Sequence, residues 1–273
     1  MPESIVEPPF HFKQGKGPLL VSIPHVGTCL APEIEDDLTD MGKTVTDTDW
    51  HLDQLYDFLE DMGASSLMAH YNRTVIDLNR AADGEILYPG QSETELCPTT
   101  SFDNQSLYKA GRAPDAPEIL RRKEAYWQPY HDKLTAELNR IKDHYGYALL
   151  WEAHSIQSHV PRFFEGRLPD LNFGNGNGTS CDEGLAQGLL SHAISSPYDA
   201  VLNGRFKGGY ITRHYGDPDN HIHAIQLEIS QINYMDESPK FNFCEERAAK
   251  LRTVLRESMG MFAMYSPDFL KDE

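Results

Sequence analysis

Positive charge is what this chain has least of. It sets 24 Lys and Arg against 42 Asp and Glu, a formal net charge of −18. A surface of that sign repels nucleic acid and anionic membranes, so neither is an expected partner. A small anion would be repelled as well, unless a local basic pocket attracts it. Long apolar runs are also missing, and none approaches membrane-spanning length. The opening MPESIVEPPFHFK is acidic and Pro-rich, with no basic start leading into an apolar stretch, so no secretory signal is expected. The four cysteines, Cys29, Cys97, Cys181 and Cys244, are scattered and form no C-x-x-C pair. A cysteine zinc site is therefore not expected, and reduced thiols in a cytoplasmic protein are. There is no internal repeat and no low-complexity linker. The 273 residues suit one large domain or two small ones, and a single domain over 1–273 is expected.

What the chain does have is an alternation of short apolar runs with amphipathic segments. The apolar runs predict strands at 18–24, 65–70, 73–78, 147–153, 199–203, 209–213 and 222–229. The 3.6-residue period predicts helices at 47–62, 117–144, 182–194 and 241–262. In the first helix Leu52, Leu55, Tyr56, Leu59 and Met62 share a face, and Gly63 stops it. Pro129 should kink the second. Strands alternating with helices make an α/β protein with a mostly parallel sheet covered on both faces, and such sheets bind ligands beyond the carboxyl ends of their strands. Long polar loops at 81–116, 155–181 and 214–221 have functional rather than connecting length. Within them NFGNGNGTSC lacks the Gly-Lys-Ser/Thr of a phosphate-binding loop and reads as a mobile loop.

Two of the apolar runs end in histidine. PLLVSIPHVG runs into His25, and YALLWEAHSIQSH carries Glu152, His154 and Ser155 at its end. A lone histidine at a strand end is usually only hydrogen-bonded, but two of them at the ligand-binding edge are candidate metal ligands. Zinc takes neutral imidazole and carboxylate, with a water in its open position. The third ligand stays open. In TVTDTDWHLD, Asp47 fits a helix cap, whereas Asp49 shares the core-facing stripe and so needs a partner such as a metal. Glu152 is the rival, as a ligand or as an acceptor that orients an imidazole. Glu228, at the end of HAIQLEIS, is a candidate general base beside a metal-bound water; the alternative is a salt bridge to an arginine. His221 and His223 form a competing pair at the other end of that run. NRTVIDLNR offers Arg73, Asn79 and Arg80, and VLNGRFKGGYITRHYG offers Arg205, Lys207 and Arg213. In so acidic a chain these could hold a carboxylate, or they could pair with the chain's own acids.

With these residues in place, the sequence resembles the N-formylglutamate deformylase (N-formylglutamate amidohydrolase) family. The likeness runs from about residue 8 to 240, through SIPHVGT, DTDWHLDQLY, VIDLNR, LYPGQ, WEAHSIQSHVPRFFEGRLPDLNFG, VLNGRFKGGYITRHYG and AIQLEISQ. The family is distantly similar to zinc-dependent exopeptidases. The resemblance implies a three-layer α/β/α fold around a mixed, mostly parallel sheet. It also implies one zinc ion and hydrolysis of N-formyl-L-glutamate, a small anionic substrate, in histidine degradation. Carried over residue by residue, it implies His25, Asp49 and His154 as metal ligands and Glu228 as general base. It also implies Asn79 and Arg80 on one substrate carboxylate. A mechanism built on this set puts Arg205, Lys207 or Arg213 on the other carboxylate and Arg73 or another basic side chain on the oxyanion. Exopeptidases place a glutamate close behind the first histidine, and here Glu33 lies too far along to match. A deacylase for another N-acyl acidic amino acid, or a non-catalytic acidic amino acid binding protein, are the alternatives; the second would need neither the metal ligands nor Glu228.

Overall fold

The computed structural model describes residues 7–85, 90 and 92–267. Of the quoted motif LYPGQ (87–91), only Gly90 lies within the described residues. Among the described residues seven strands make one sheet: β1 (Phe10–Lys13), β2 (Leu19–Ile23), β3 (Ser65–Ala69), β4 (Ala148–Ile156), β5 (Leu171–Gly174), β6 (Ala200–Leu202) and β7 (Ile222–Ser230). Their order is β1-β3-β2-β4-β7-β5-β6. β3, β2, β4 and β7 run parallel through the middle. β1 is antiparallel to β3 at one edge, and β5 is antiparallel to β7 while parallel to β6 at the other. The expected mixed, mostly parallel sheet is what the chain forms.

Residue parity sorts the two faces, because successive side chains leave a strand on opposite sides. Leu19, Val21, Leu149, Trp151, Ile225 and Leu227 point to one layer, where they pack with Leu189 of helix Glu183–Ile194 and Leu255 of helix Glu245–Ala263. Leu20, Leu150, Ala148 and Ala224 point to the other, against Tyr130, Leu134 and Leu138 of helix Gln128–Tyr145. Helices on both faces of the sheet give three layers. On that second face, Glu152 and His154 continue the parity of Leu150, and Gln226 and Glu228 continue that of Ala224. The apolar residues at the start of each strand thus carry the helix, and polar ones follow on the same face.

Several sequence expectations change. The segment 47–62 is not one helix: a single turn, Leu52–Leu55, follows His51, whose φ of 61° is left-handed and stops a helix from extending backwards. Its apolar face is buried all the same, through Leu52, Leu55, Tyr56 and Leu59. Residues 73–78 form no strand; Thr74 N donates to Asn72 Oδ1 at 2.9 Å and Val75 N to the Asn72 carbonyl at 2.9 Å, which folds the segment into a turn. Residues 209–213 enter a helix, Tyr210–Tyr215, in which Arg213 N donates to the Gly209 carbonyl at 3.1 Å. Pro129 sits in the first turn of its helix, directly after a π-helical stretch, Lys123–Trp127, so the irregularity there is a wider turn. Strands β1 and β5 were not expected at all. NFGNGNGTSC opens as β5 and continues as a knit turn rather than a loose loop. Asn203 Oδ1 accepts from Asn175 N, Asn203 Nδ2 donates to Asn175 Oδ1, and Asn175 Nδ2 donates to Glu183 Oε2. Among the described residues no helix is long and apolar enough to cross a membrane.

Candidate active site

His25 lies two residues past the end of β2, His154 lies in β4, and Glu228 lies in β7 directly opposite His154 in the parallel register. Asp49 reaches them from the irregular segment before His51, where its backbone N–H donates to the His25 carbonyl at 3.0 Å. That tertiary bond, rather than a helix, sets the position of Asp49. One ligand atom from each of His25, Asp49 and His154 falls within 4.8 Å of the others, and all three residues are buried. Asp49 Oδ2 lies 2.9 Å from His154 Nδ1 and 3.9 Å from His25 Nδ1. Among the described residues this is the one grouping of three or more such donors.

The outer nitrogens of both imidazoles face carboxylates. His25 Nε2 is 2.7 Å from Asp77 Oδ1, and His154 Nε2 is 2.9 Å from Glu152 Oε1. An ionised carboxylate only accepts, so each Nε2 carries a proton and each Nδ1 is aimed inward at Asp49. Each carboxylate is itself fixed. Arg73 Nη2 donates to Asp77 Oδ2 at 2.5 Å, and Thr212 donates to Glu152 Oε2 through its N–H at 3.0 Å and through its hydroxyl. Glu152 thus stands behind His154, as an orienting acceptor stands, and not among the three clustered donors. Ser155 N–H donates to Asp49 Oδ2 at 3.1 Å. Once the proton that His154 Nδ1 shares with Asp49 is displaced, two imidazole nitrogens and one carboxylate are a donor set that fits a divalent transition metal ion.

The electrostatics point the same way. Burial and the Arg73 charge lower the proton affinity of His25 below its ordinary 6.5. Burial opposes a charge on His154 too, but Glu152 and Asp49 overcome it and hold the imidazolium well above that value. Burial likewise opposes ionisation of Asp77, yet Arg73 and His25 keep its carboxyl well below the usual range. Between two carboxylates, the proton on His154 stands where a cation would. Glu228 is the exception in the cluster. Burial pushes its carboxyl up to about 8, against the pull of His154 and with the help of Asp49. Among the described residues it has no salt bridge, and Gln226 Nε2 at 3.4 Å is its one hydrogen-bond neighbour.

The cavity in front of these groups is lined by His25, Asp49, His154 and Glu228, and by Arg73, Asn79, Arg80 and Arg205. Lys207 and Arg213 are not among its lining residues; the Lys207 carbonyl accepts from Gly176 N–H, and Arg213 Cγ lies near Gly176. Asn79 is already engaged through its Oδ1, which accepts from Ile211 N at 2.8 Å and leaves its Nδ2 beside the His154 ring. Gly209 makes room for it, since a Cβ there would stand 2.2 Å from Asn79 Nδ2. Arg80 donates to Thr94 Oγ1 at 3.3 Å and lies 3.7 Å from Glu93. The Nε atoms of Arg73 and Arg80 are buried without a partner. Asp47 caps no helix; it accepts from Phe102 N–H at 2.9 Å, so it holds the loop that puts Phe102 on the cavity wall under Arg73. His223 and His221 stand at the far end of β7, where His223 Nδ1 accepts from Asp182 N–H.

Sequence reading missed Asp77, Thr212, Gln226 and the aromatic wall of Phe102, Phe163 and Phe206. For Asp77 a signal existed: a carboxylate between Ile76 and Leu78, in a stretch otherwise destined for burial. Thr212 and the aromatics carried none.

The family model described as N-formylglutamate amidohydrolase matches residues 17–235. An N-formylglutamate deformylase of Pseudomonas aeruginosa is 51% identical over 247 residues, covering 90% of this chain and 92% of that protein. An N-formylglutamate deformylase of Pseudomonas putida is 50% identical over 249 residues, again covering 90% and 92%. Among solved structures, an N-formylglutamate amidohydrolase from Ralstonia eutropha JMP134 superposes with a TM-score of 0.78 at 22% identity, over 93% of this chain and 98% of that one. A gene product from Agrobacterium tumefaciens does so at 0.72 and 17%, over 93% and 94%. At those identities the two structures speak for the fold alone. The chain belongs to the N-formylglutamate amidohydrolase family.

Proposed function

We propose that this chain hydrolyses N-formyl-L-glutamate to L-glutamate and formate with the help of one zinc ion, as a step of histidine degradation. His25, Asp49 and His154 would hold the ion, and Asp77 and Glu152 fix the two imidazole rings. Bound there, zinc would act as a Lewis acid toward the formyl oxygen and bring the pKa of its water from 15.7 toward about 7. Glu228 takes a proton from the water as oxygen adds to the formyl carbon. It returns that proton to the amide nitrogen as the C–N bond breaks; the water's second proton follows from the formic acid, so formate and the ammonium form of glutamate leave. Glu228 is suited to both transfers because its carboxyl, pushed up by burial, ionises when a divalent charge sits beside it.

Arg73 faces the oxyanion, with Asp77 holding its guanidinium in place. Arg80, beside Asn79, takes one substrate carboxylate and Arg205 the other. Of the three basic residues first considered for that second carboxylate, Arg205 is the one that lines the cavity. Two anchored carboxylates bring the formyl carbon into near-attack geometry. They also favour a dicarboxylate over a neutral acyl amino acid.

The observation that carries this reading is Glu228: a buried carboxylate with no ionic partner among the described residues, in register with His154 and facing a cavity with basic walls. A formate-release assay on N-formyl-L-glutamate, with metal analysis of the same sample, tests it. Activity should vanish after chelation and return with zinc. Full turnover by demonstrably metal-free protein would refute the metal, and faster turnover of N-acetylglutamate or N-formylaspartate would refute the substrate.

A further inference from the structure

We infer that His11 and His70 form a second site for a divalent transition metal ion, on the sheet edge beyond the candidate active site. His11 Nε2 and His70 Nδ1 lie 3.1 Å apart. Two imidazole nitrogens bound to one ion at about 2.1 Å and a right angle stand about 3.0 Å apart, so the pair already has the bite of a cis chelate. Without an ion, one ring donates its N–H to the other; an ion takes the place of that shared hydrogen and one ring changes tautomer. Imidazole suits zinc, copper and nickel.

The mounting is rigid. His11 belongs to β1, His70 follows β3, and these strands pair antiparallel from Phe10↔Ala69 to Lys13↔Ser66. His70 N–H donates to the Pro9 carbonyl at 3.1 Å, and the Tyr71 ring packs edge-on against the His70 ring at 4.9 Å. Burial and the adjacent His11 ring lower the proton affinity of His70, with Glu7 opposing, so a neutral ligand is favoured near pH 7. The pair opens on a cleft of about 320 Å³ that gives an ion and its waters access. Cys29 borders the same cleft with an exposed thiol, a further donor within the site's surroundings. His51 also borders it but is excluded as a ligand. Its Nε2 is 2.8 Å from the Phe241 carbonyl and its Nδ1 accepts from Gln54 Nε2. Val26 and Trp50 form the inner wall, each next in sequence to a residue of the buried triad, His25 and Asp49. The net charge of −18 favours cations throughout.

The test is a titration of the chelator-treated protein with Ni²⁺, followed by calorimetry, for wild type, His11→Gln, His70→Gln and Cys29→Ser. Both imidazoles are reachable from solvent, so these variants should fold, and a melting curve checks it. Wild type should bind one more Ni²⁺ than either histidine variant, or bind it at least tenfold more tightly. That difference should shrink from pH 7.5 to pH 5.5, as protons compete with the ion for the His70 ring. Cu²⁺ added in place of Ni²⁺ should show two nitrogen ligands by electron paramagnetic resonance that are missing from both variants. Equal stoichiometry and affinity in wild type and both histidine variants would overturn the site. So would loss of the extra ion in Cys29→Ser with both histidine variants unchanged, since the ligand would then be the thiol.

Discussion

Replacing Glu228 by glutamine should make the metal-free protein more stable while removing its activity. Glutamine keeps the shape and most of the hydrogen bonding of a protonated glutamic acid but cannot ionise. In the metal-free fold burial pushes the Glu228 carboxyl up to about 8, whereas the unfolded chain ionises it near its ordinary 4.5. Stability is therefore untouched below about pH 4.5 and is lost as pH rises toward 8, because the unfolded state gains an ionisation that the fold refuses. Each pH step in that window costs about 1.36 kcal/mol, so by pH 7 the cost is about 3 kcal/mol, and it levels off above pH 8. The glutamine variant escapes it. At this chain length about 3 kcal/mol raises Tm by roughly 6–12 °C. The assay is thermal melting of chelator-treated wild type and Glu228→Gln at intervals from pH 5 to 8, with kcat measured after zinc is restored. The gap in Tm should open with pH, and kcat should fall by about two to four orders of magnitude with zinc content unchanged. A gap of constant size across the range, or a variant less stable than wild type at pH 7, would refute the idea that burial holds this carboxyl protonated. Near-normal kcat would move the search for a base to another residue.

Two further outcomes follow from the geometry. Asp49→Asn should lower metal occupancy outright, whereas Glu152→Gln, which alters the acceptor behind His154 and its bonds from Thr212, should weaken binding by about 10–100-fold and leave the site fillable; metal analysis after dialysis at graded zinc concentrations separates the two, and the reverse ranking would exchange their roles. Gly209→Ala should cost about 1–3 kcal/mol in denaturant unfolding and raise KM, because its Cβ would stand 2.2 Å from Asn79 Nδ2, while Gly188→Ala, where nothing lies within 4 Å, should be neutral or slightly stabilising.

The sequence by itself determined which strands carry the chemistry. A strand whose side chains alternate between two buried layers needs apolar residues on both faces, so the runs ending at His25, His154 and Glu228 were legible, and polar groups at their ends had to be used or paired. The long helix over 116–145 was legible for the same reason, since Tyr130, Leu134, Leu138 and Ile141 repeat at its period. What only the tertiary structure decided is everything held by contacts distant in sequence. Asp49 reaches the histidines through a backbone bond to His25 and a left-handed His51, which no helical stripe encodes. Asp77 and Thr212 become the supports of His25 and Glu152 only once the 73–79 turn and the Tyr210–Tyr215 helix fold onto β4, and both of those segments read as strands in isolation. β1 pairs antiparallel with β3 and β5 with β7, so both were set by partners 52 or more residues away rather than by their own composition.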